Sequence, residues 1–220
     1  MEQDAMSVIF AAKMQKEVLE SNEKLTVITA EPGAGATTAL LMKAWQVASD
    51  NQDVNVTFFV PTWFHINREG SVKEYMFKMF GSDFRYSEKS AIATLKNGSK
   101  IKFIACGDGC VEKTQGLGRD LMLFDGNISK NFVLAHLFRA KQMVVVDSIE
   151  NLEKDDSWAN KANLLDKVDG RITGFCEAVK HITGTIEENF LFQGDKAKWK
   201  ELVKQSIPGR MKIQFGSADA

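Results

Sequence analysis

Residues 25–38, Leu-Thr-Val-Ile-Thr-Ala-Glu-Pro-Gly-Ala-Gly-Ala-Thr-Thr, decide how this chain folds. Leu25 to Thr29 is a short run rich in β-branched residues, the composition of a buried strand. Glu31 to Gly35 is a tight loop, and Thr37 to Ala48 has the pattern of a helix that Asp50 and Asn51 end. A strand running through a small-residue loop into a helix presents a concave nest of backbone N–H groups. It adds the positive end of a helix dipole, and together these hold a phosphate. The usual pattern is G-x-x-x-x-G-K-[ST]. Here Ala30 takes the first position, Gly35 the second glycine, Ala36 the lysine position and Thr37 the hydroxyl position that binds Mg²⁺. The candidate nucleotide-binding residues are therefore Pro32, Gly33, Ala34, Gly35, Ala36, Thr37 and Thr38. Thr37 and Thr38 also suit a plain N-cap pair, and a glycine-rich strand-to-helix turn can exist with no ligand.

Ala36 is a consequential departure. A lysine there reaches the β- and γ-phosphates and stabilises charge during transfer. Without it backbone amides still cradle phosphate, at lower affinity and rate. Lys43, two turns into the helix, points away along its axis and is a poor substitute.

Outward from this segment, the pattern repeats. Met6 to Leu19 has helical apolar spacing. Val54 to Val60 reads as a strand stopped by Pro61, and Ser71 to Phe80 as a helix ended by Gly81. Ile92 to Leu95 and Lys100 to Ala105 flank Asn97-Gly98, a strong hairpin signal. Leu121 to Phe124 is a buried strand, Ser129 to Lys141 a helix and Met143 to Val146 another buried strand. Apolar strands separated by helices imply an α/β fold with a mostly parallel sheet covered on both faces. From about Asn151 the pattern turns helical and charged, with Trp158 to Val179 and Asp195 to Ile207 as helices and Met211 to Phe215 as a last strand. The expected division is an α/β core over 1–150 and a mostly helical part over 151–220 that completes or flanks it.

Composition narrows the classes. Lys plus Arg number 28 against 29 Asp plus Glu, a net charge of −1, which argues against a generally basic nucleic-acid coat protein. A hydrophobic content of 44% excludes disorder as the ground state. Cys106, Cys110 and Cys176 make an odd count beside scattered His65, His136 and His181, so neither a disulfide framework nor a zinc site is expected. No run reaches the length of a membrane span and the first ten residues lack the pattern of a signal peptide, so a cytoplasmic protein without membrane contact is expected. Phe58, Phe59, Trp63 and Phe64 form an aromatic run that core packing explains better than base stacking. Lys196, Lys198, Lys200, Lys204, Arg210 and Lys212 tilt the C-terminal part towards a basic character that suits a DNA backbone, but Asp195 and Glu201 interrupt them and a solvated helix face explains them better.

A nucleotide site also needs a carboxylate at a neighbouring strand tip to hold Mg²⁺. Two strands end in one: LMLFD at Asp125 and VVVD at Asp147. A Glu directly after such an Asp polarises the attacking water, but Gly126 and Ser148 stand there, with Glu150 the nearest candidate. If Asp147 is the ligand, the strand reads as in RecA-like and helicase ATPases. Asp125 also suits a cap for the helix starting near Ser129, and Lys113 and Arg119 flank the hairpin exit, where a solvated loop explains them better than a phosphate contact.

The ordered set resembles the ATPase domain of the large terminase subunit of tailed phages, over about residues 8–150. Gln15 stands on a helix ahead of the phosphate loop, where that family has a glutamine that reads adenine; otherwise it is a solvent-facing residue of an amphipathic helix. Leu95 to Ala105 is similar to the family's strand–NG–strand element. Gln115-Gly116 and the following LGRDLMLFDG resemble its Arg-Gly and Walker B segment. KQMVVVDS resembles its coupling strand, with Asp147-Ser148 at the end that senses the γ-phosphate. The resemblance implies a P-loop NTPase fold of the RecA/ASCE type, ATP and Mg²⁺ as ligands, Thr37 and Asp125 as metal ligands, and Asp125, Ser148 and Glu150 as catalytic candidates. It implies DNA packaging in the host cytoplasm, with a protein partner or a second copy of the chain and with DNA. The departures are systematic: Glu31 and Ala36 stand where the loop is basic, Gly126 replaces the Glu, and Gln115 replaces the Arg. No nuclease domain is expected in the residues after the core, and three readings follow. One is a packaging-type ATPase that takes its missing cation from a neighbour. Another is a catalytically inactive relative serving as a structural or interaction module. The third is a RecA-like ATPase using Asp147.

Overall fold

The structure, a computed structural model, describes residues 13–68, 70–81, 83–106, 114, 119–126, 128, 130–136, 139–148 and 179–188. Its frame is a sheet of eight strands: β1 Leu25–Ala30, β2 Asn55–Val60, β3 Phe84–Ser87, β4 Ile92–Leu95, β5 Lys100–Ala105, β6 Arg119–Phe124, β7 Ala140–Ser148 and β8 Val179–Gly184. Their order is β3-β4-β5-β2-β6-β7-β1-β8. From β5 to β8 every pairing is parallel, and β3 and β4 add an antiparallel flap at one end. The helices are α1 Lys13–Glu20, α2 Ala36–Asp50, α3 Phe64–Asn67, α4 Val72–Phe80 and α5 Lys130–His136, with a 3₁₀ turn at Ile186–Glu188.

The period-2 alternation of a strand sends neighbouring residues to opposite faces, and the chain fills both. Ile28, Phe58, Leu121 and Val144 join Met14 of α1, Leu40 of α2, Ile66 of α3 and Met76 of α4 on one face. Val27, Phe59, Phe124 and Val145 join Phe132 and Val133 of α5 on the other. Phe59 stacks on Phe124 with ring centroids 4.7 Å apart and meets Phe132 edge-on at 5.3 Å. Truncating such a ring costs about 3–5 kcal/mol. That two-sided burial is why these strands read as continuous apolar runs.

Local signals set the ends. Ser71 caps α4, its hydroxyl accepting from the Glu74 N–H at 3.3 Å. The Asn97-Gly98 turn has Gly98 at φ 86°, and the Asn97 side-chain amide donates to the carbonyls of Ala48 and Asn51 at 2.7 Å each. The hairpin tip thus satisfies orphan carbonyls at the end of α2.

Two expectations need correction. The helix expected to run to Lys141 ends at His136, because Ala140 and Lys141 pair in β7 between β6 and β1. Val179 opens strand β8, which lies parallel to β1, rather than closing a helix from Trp158. The sheet therefore draws on residues beyond 150. Phe84–Ser87 forms an edge strand that no apolar run announces. The expected helices over 6–12, 158–178 and 195–207 and the strand over 211–215 lie outside the described residues.

Candidate nucleotide site at the phosphate loop

Parallel strands bring their carboxyl ends to one edge, and ligands of open α/β sheets bind there, where neighbouring connections diverge. The chain leaves β1 by the loop at 31–35 and returns at β2, passing over β6 and β7. At that edge β1 ends beside β7, with Ala30 in register with Ser148 and Thr29 with Asp147. Asp125 follows β6 directly, its N–H donating to the Phe59 carbonyl at 2.9 Å.

The loop has the backbone of a phosphate nest. Gly33 and Gly35 both lie at φ 91°, which L side chains avoid and glycine permits. The Ala34 N–H donates to the Glu31 carbonyl at 3.0 Å and closes a turn. Gly35 is the N-cap of α2, so the first amides of that helix, from Ala36, Thr37 and Thr38, lack helical acceptors. Pro32 and Ala34 are buried, and Ala36 and Thr38 half-buried.

Thr37 and Asp125 meet. The Thr37 hydroxyl donates to the Asp125 carboxylate at 2.8 Å, and both side chains are buried. A hydroxyl and a carboxylate held together beside a phosphate nest are the hard oxygen donors that Mg²⁺ prefers. These residues fit a magnesium–phosphate ligand. The fit lacks the cation that Ala36 omits.

The other candidates divide. Gln15 is not solvent-facing: it is buried on α1, and its amide lies 3.5 Å from the Gly35 carbonyl as donor. Asp147 is buried at the end of β7, and its carboxylate accepts from the Ser148 N–H at 2.8 Å. Asp147 thus sits on the strand next to β1, while Asp125, one strand further, reaches the loop's hydroxyl. Glu150, Lys113 and Gln115 lie outside the described residues. Arg119 stands at the opposite end of β6, its guanidinium donating to the Thr57 hydroxyl at 2.7 Å. Lys43 is only 2% exposed and donates to the carbonyls of Leu19 and Ser21 at 2.9 and 2.7 Å, so it serves the end of α1 and not the loop. Burial lowers its pKa, with Glu23 opposing and Lys180 reinforcing the shift.

Core packing accounts for Phe58 and Phe59 but not for Trp63 and Phe64, which are 52% and 56% exposed. Pro61 turns the chain out of the sheet, and the Arg68 guanidinium covers the Phe64 ring at 3.9 Å.

Sheet order, phosphate nest and the Thr37–Asp125 contact define an α/β fold of the P-loop NTPase class. Within that class the fold is that of phage large terminase ATPase domains. The large terminase of a thermophilic bacteriophage superposes with a TM-score of 0.61 at 17% identity, over 88% of this chain and 50% of that one. Its complex with ADP gives 0.62 at 16%. The large terminase ATPase domain of Thermus phage P74-26 gives 0.54 at 11%, over 91% of this chain and 90% of that domain. The chain thus spans half the length of the first of these proteins. The sequence matches no protein-family model and no curated protein. Among the described residues no helix is long and apolar enough to cross a membrane.

Proposed function

We propose that this chain is a terminase-like nucleotide-binding protein linked to DNA packaging, which holds a magnesium–nucleotide at the 31–38 loop. The single observation that carries this reading is the buried Thr37–Asp125 contact at the mouth of a nest with two glycines at φ 91°. The similar bacteriophage terminase was solved with ADP, which supports the same ligand class here. In this reading the loop amides bind the β-phosphate, Thr37 and Asp125 hold Mg²⁺, Gln15 serves the adenine, and Ser148 and Glu150 are the candidates for sensing a γ-phosphate. Binding is weak because Ala36 supplies no charge. Hydrolysis then requires a cation from a protein partner or a second copy of the chain. Asp147, carrying the RecA-like reading, is less favoured, because Asp125 is the carboxylate on Thr37.

DNA contact is part of the same proposal. The Lys-rich segment from Lys196 to Lys212 lies outside the described residues. Within them, Arg85, Lys100 and Lys102 share the sheet face opposite α2, placed by the register Arg85–Thr94–Lys100 and by the alternation along β5. Residues at i and i+2 of a strand stand about 7 Å apart, a spacing suited to successive backbone phosphates.

A thermal-shift titration tests the nucleotide reading. MgADP should raise the melting temperature, by about 2.7 kcal/mol of stabilisation at a hundredfold excess over Kd. Asp125→Ala should abolish the magnesium-dependent part. No shift at millimolar ADP or ATP would favour the second reading, a catalytically inactive structural module. One observation supports that alternative: Glu31 and Gln15 already hold the loop by contacts within the chain.

A further inference from the structure

Glu31 stands where a phosphate loop gains nothing from a carboxylate, yet it makes two hydrogen bonds to the same distant segment. Its N–H donates to the Gly184 carbonyl at 2.9 Å, and its Oε2 accepts from the Ile186 N–H at 2.8 Å. The first bond continues the β1–β8 ladder one residue past Ala30 and Gly184. The second holds the first amide of the 3₁₀ turn Ile186–Glu188, which has no acceptor within that turn. One residue therefore grips the end of β8 through both backbone and side chain.

The surroundings make this grip matter. Among the described residues β8 is an edge strand paired only with β1. Its other support is α1: Met14 lies so close to Gly184 that a Cβ there would stand 2.1 Å from the Met14 sulfur. The next residue of α1, Gln15, reaches the Gly35 carbonyl on the far side of the loop. Loop, β8 end and α1 thus close a ring of contacts around a nest that contains two flexible glycines and no lysine.

We propose that Glu31 is a positioning residue that clasps the phosphate loop to the end of β8, keeping the nest formed without a loop lysine and transmitting ligand arrival to residues 184–186. The transmission half rests on the nucleotide reading above; the clasp does not.

Residue-resolved amide hydrogen exchange separates the two. In ligand-free protein, Glu31→Ala should speed exchange of the Ile186 amide by about tenfold, the loss of one hydrogen bond to a charged acceptor. Glu31→Gln, which keeps an acceptor oxygen and removes the charge, should restore most of the protection. An Ile186 amide equally protected in Glu31→Ala overturns the clasp. MgADP added to the wild type should protect both 31–38 and 184–186, and in Glu31→Ala only 31–38, with Kd raised several-fold and recovered in Glu31→Gln. Protection of the loop without 184–186 in the wild type, or tighter MgADP binding by Glu31→Ala, overturns the transmission. If MgADP protects no loop residue, the nucleotide reading and the transmission both fail, and the ligand-free comparison alone decides the clasp.

Discussion

The Thr37 hydroxyl donates to the Asp125 carboxylate at 2.8 Å, joining the first turn of α2 to the end of β6 across the intervening end of β7. Asp125 is 3% exposed and Thr37 7%. Leaving either buried group without its partner costs about 1–3 kcal/mol, so the contact supports the fold as well as collecting two oxygen donors.

This contact predicts a measurable coupling. Thr37→Val and Asp125→Ala should each destabilise the ligand-free protein to chemical denaturation by about 1–3 kcal/mol. The double variant should cost less than the sum, with a coupling of about 0.5–3 kcal/mol. Thr37→Ser, which keeps the hydroxyl, should stay near wild type. Strict additivity would show that the two side chains contribute independently.

Ala36→Lys should act in opposite directions with and without ligand. Ala36 opens α2, and a cation at a helix N-terminus costs about 0.3–1 kcal/mol, so the ligand-free melting temperature should fall slightly. With MgADP bound, the new ammonium faces phosphate, and a charge-assisted hydrogen bond of about 1.5–3 kcal/mol should lower Kd about ten- to a hundredfold. Melting curves of both proteins across an ADP titration should therefore cross. Curves that stay parallel would count against a phosphate at this loop.

Much of the frame was legible because two-sided burial writes itself as continuous apolar runs: LTVIT, VNVTFFV, LMLF and MVVV all became strands, and Asn97-Gly98 became a hairpin turn. Edge strands were not legible. In Val179–Gly184 the sequence VKHITG interrupts its apolar residues with Lys180 and His181, and Phe84–Ser87 buries only Phe84. The overrun of the helix into Ala140 and Lys141 shows pairing overriding good helix formers. Within the site, the loop and Asp125 could be read from spacing, but their contact spans 88 residues, and the Glu31–Ile186 bond spans 155. No local pattern encodes either, so Glu31 read only as a missing basic residue. Gln15 was found by resemblance; its place against Gly35 came from packing of α1 on α2.

A pH dependence should come from His136. It is fully buried; its Nδ1 pairs with the Phe132 carbonyl at 2.8 Å and its Nε2 with the Thr114 hydroxyl at 2.9 Å. A neutral ring protonated on Nδ1 satisfies both. Burial lowers its pKa from the ordinary 6.5, nearby Arg139 lowers it further, and the Phe132 bond opposes them. A depressed folded pKa means the unfolded chain binds more protons in the window below 6.5. Stability is then complete above that value and falls as pH drops through the folded pKa. Denaturation midpoints between pH 8 and pH 5 should fall more steeply in the wild type than in His136→Gln, whose side chain carries no titrating proton. Equal slopes would remove His136 from the acid response.

The cationic sheet face yields a test that needs no nucleotide. Arg85 and Lys100 are exposed and Lys102 half-buried. The ion pairs nearby engage other cations, Lys96 with Asp83 and Lys141 with Asp120. If a DNA backbone lies on this face, each lysine releases about one counterion, and log K falls with log salt by about 0.9 per phosphate contact. Lys100→Glu with Lys102→Glu should weaken binding of a fluorescent 30-base-pair duplex, and the slope of that salt plot should shrink by about 2. Neither change should alter MgADP binding, because both lysines lie away from the carboxyl edge of the sheet: β5 begins at Lys100 and ends at Ala105. Anisotropy titrations at several KCl concentrations read both quantities. An unchanged slope with normal folding would move any DNA contact off this face and back towards the segment between Lys196 and Lys212.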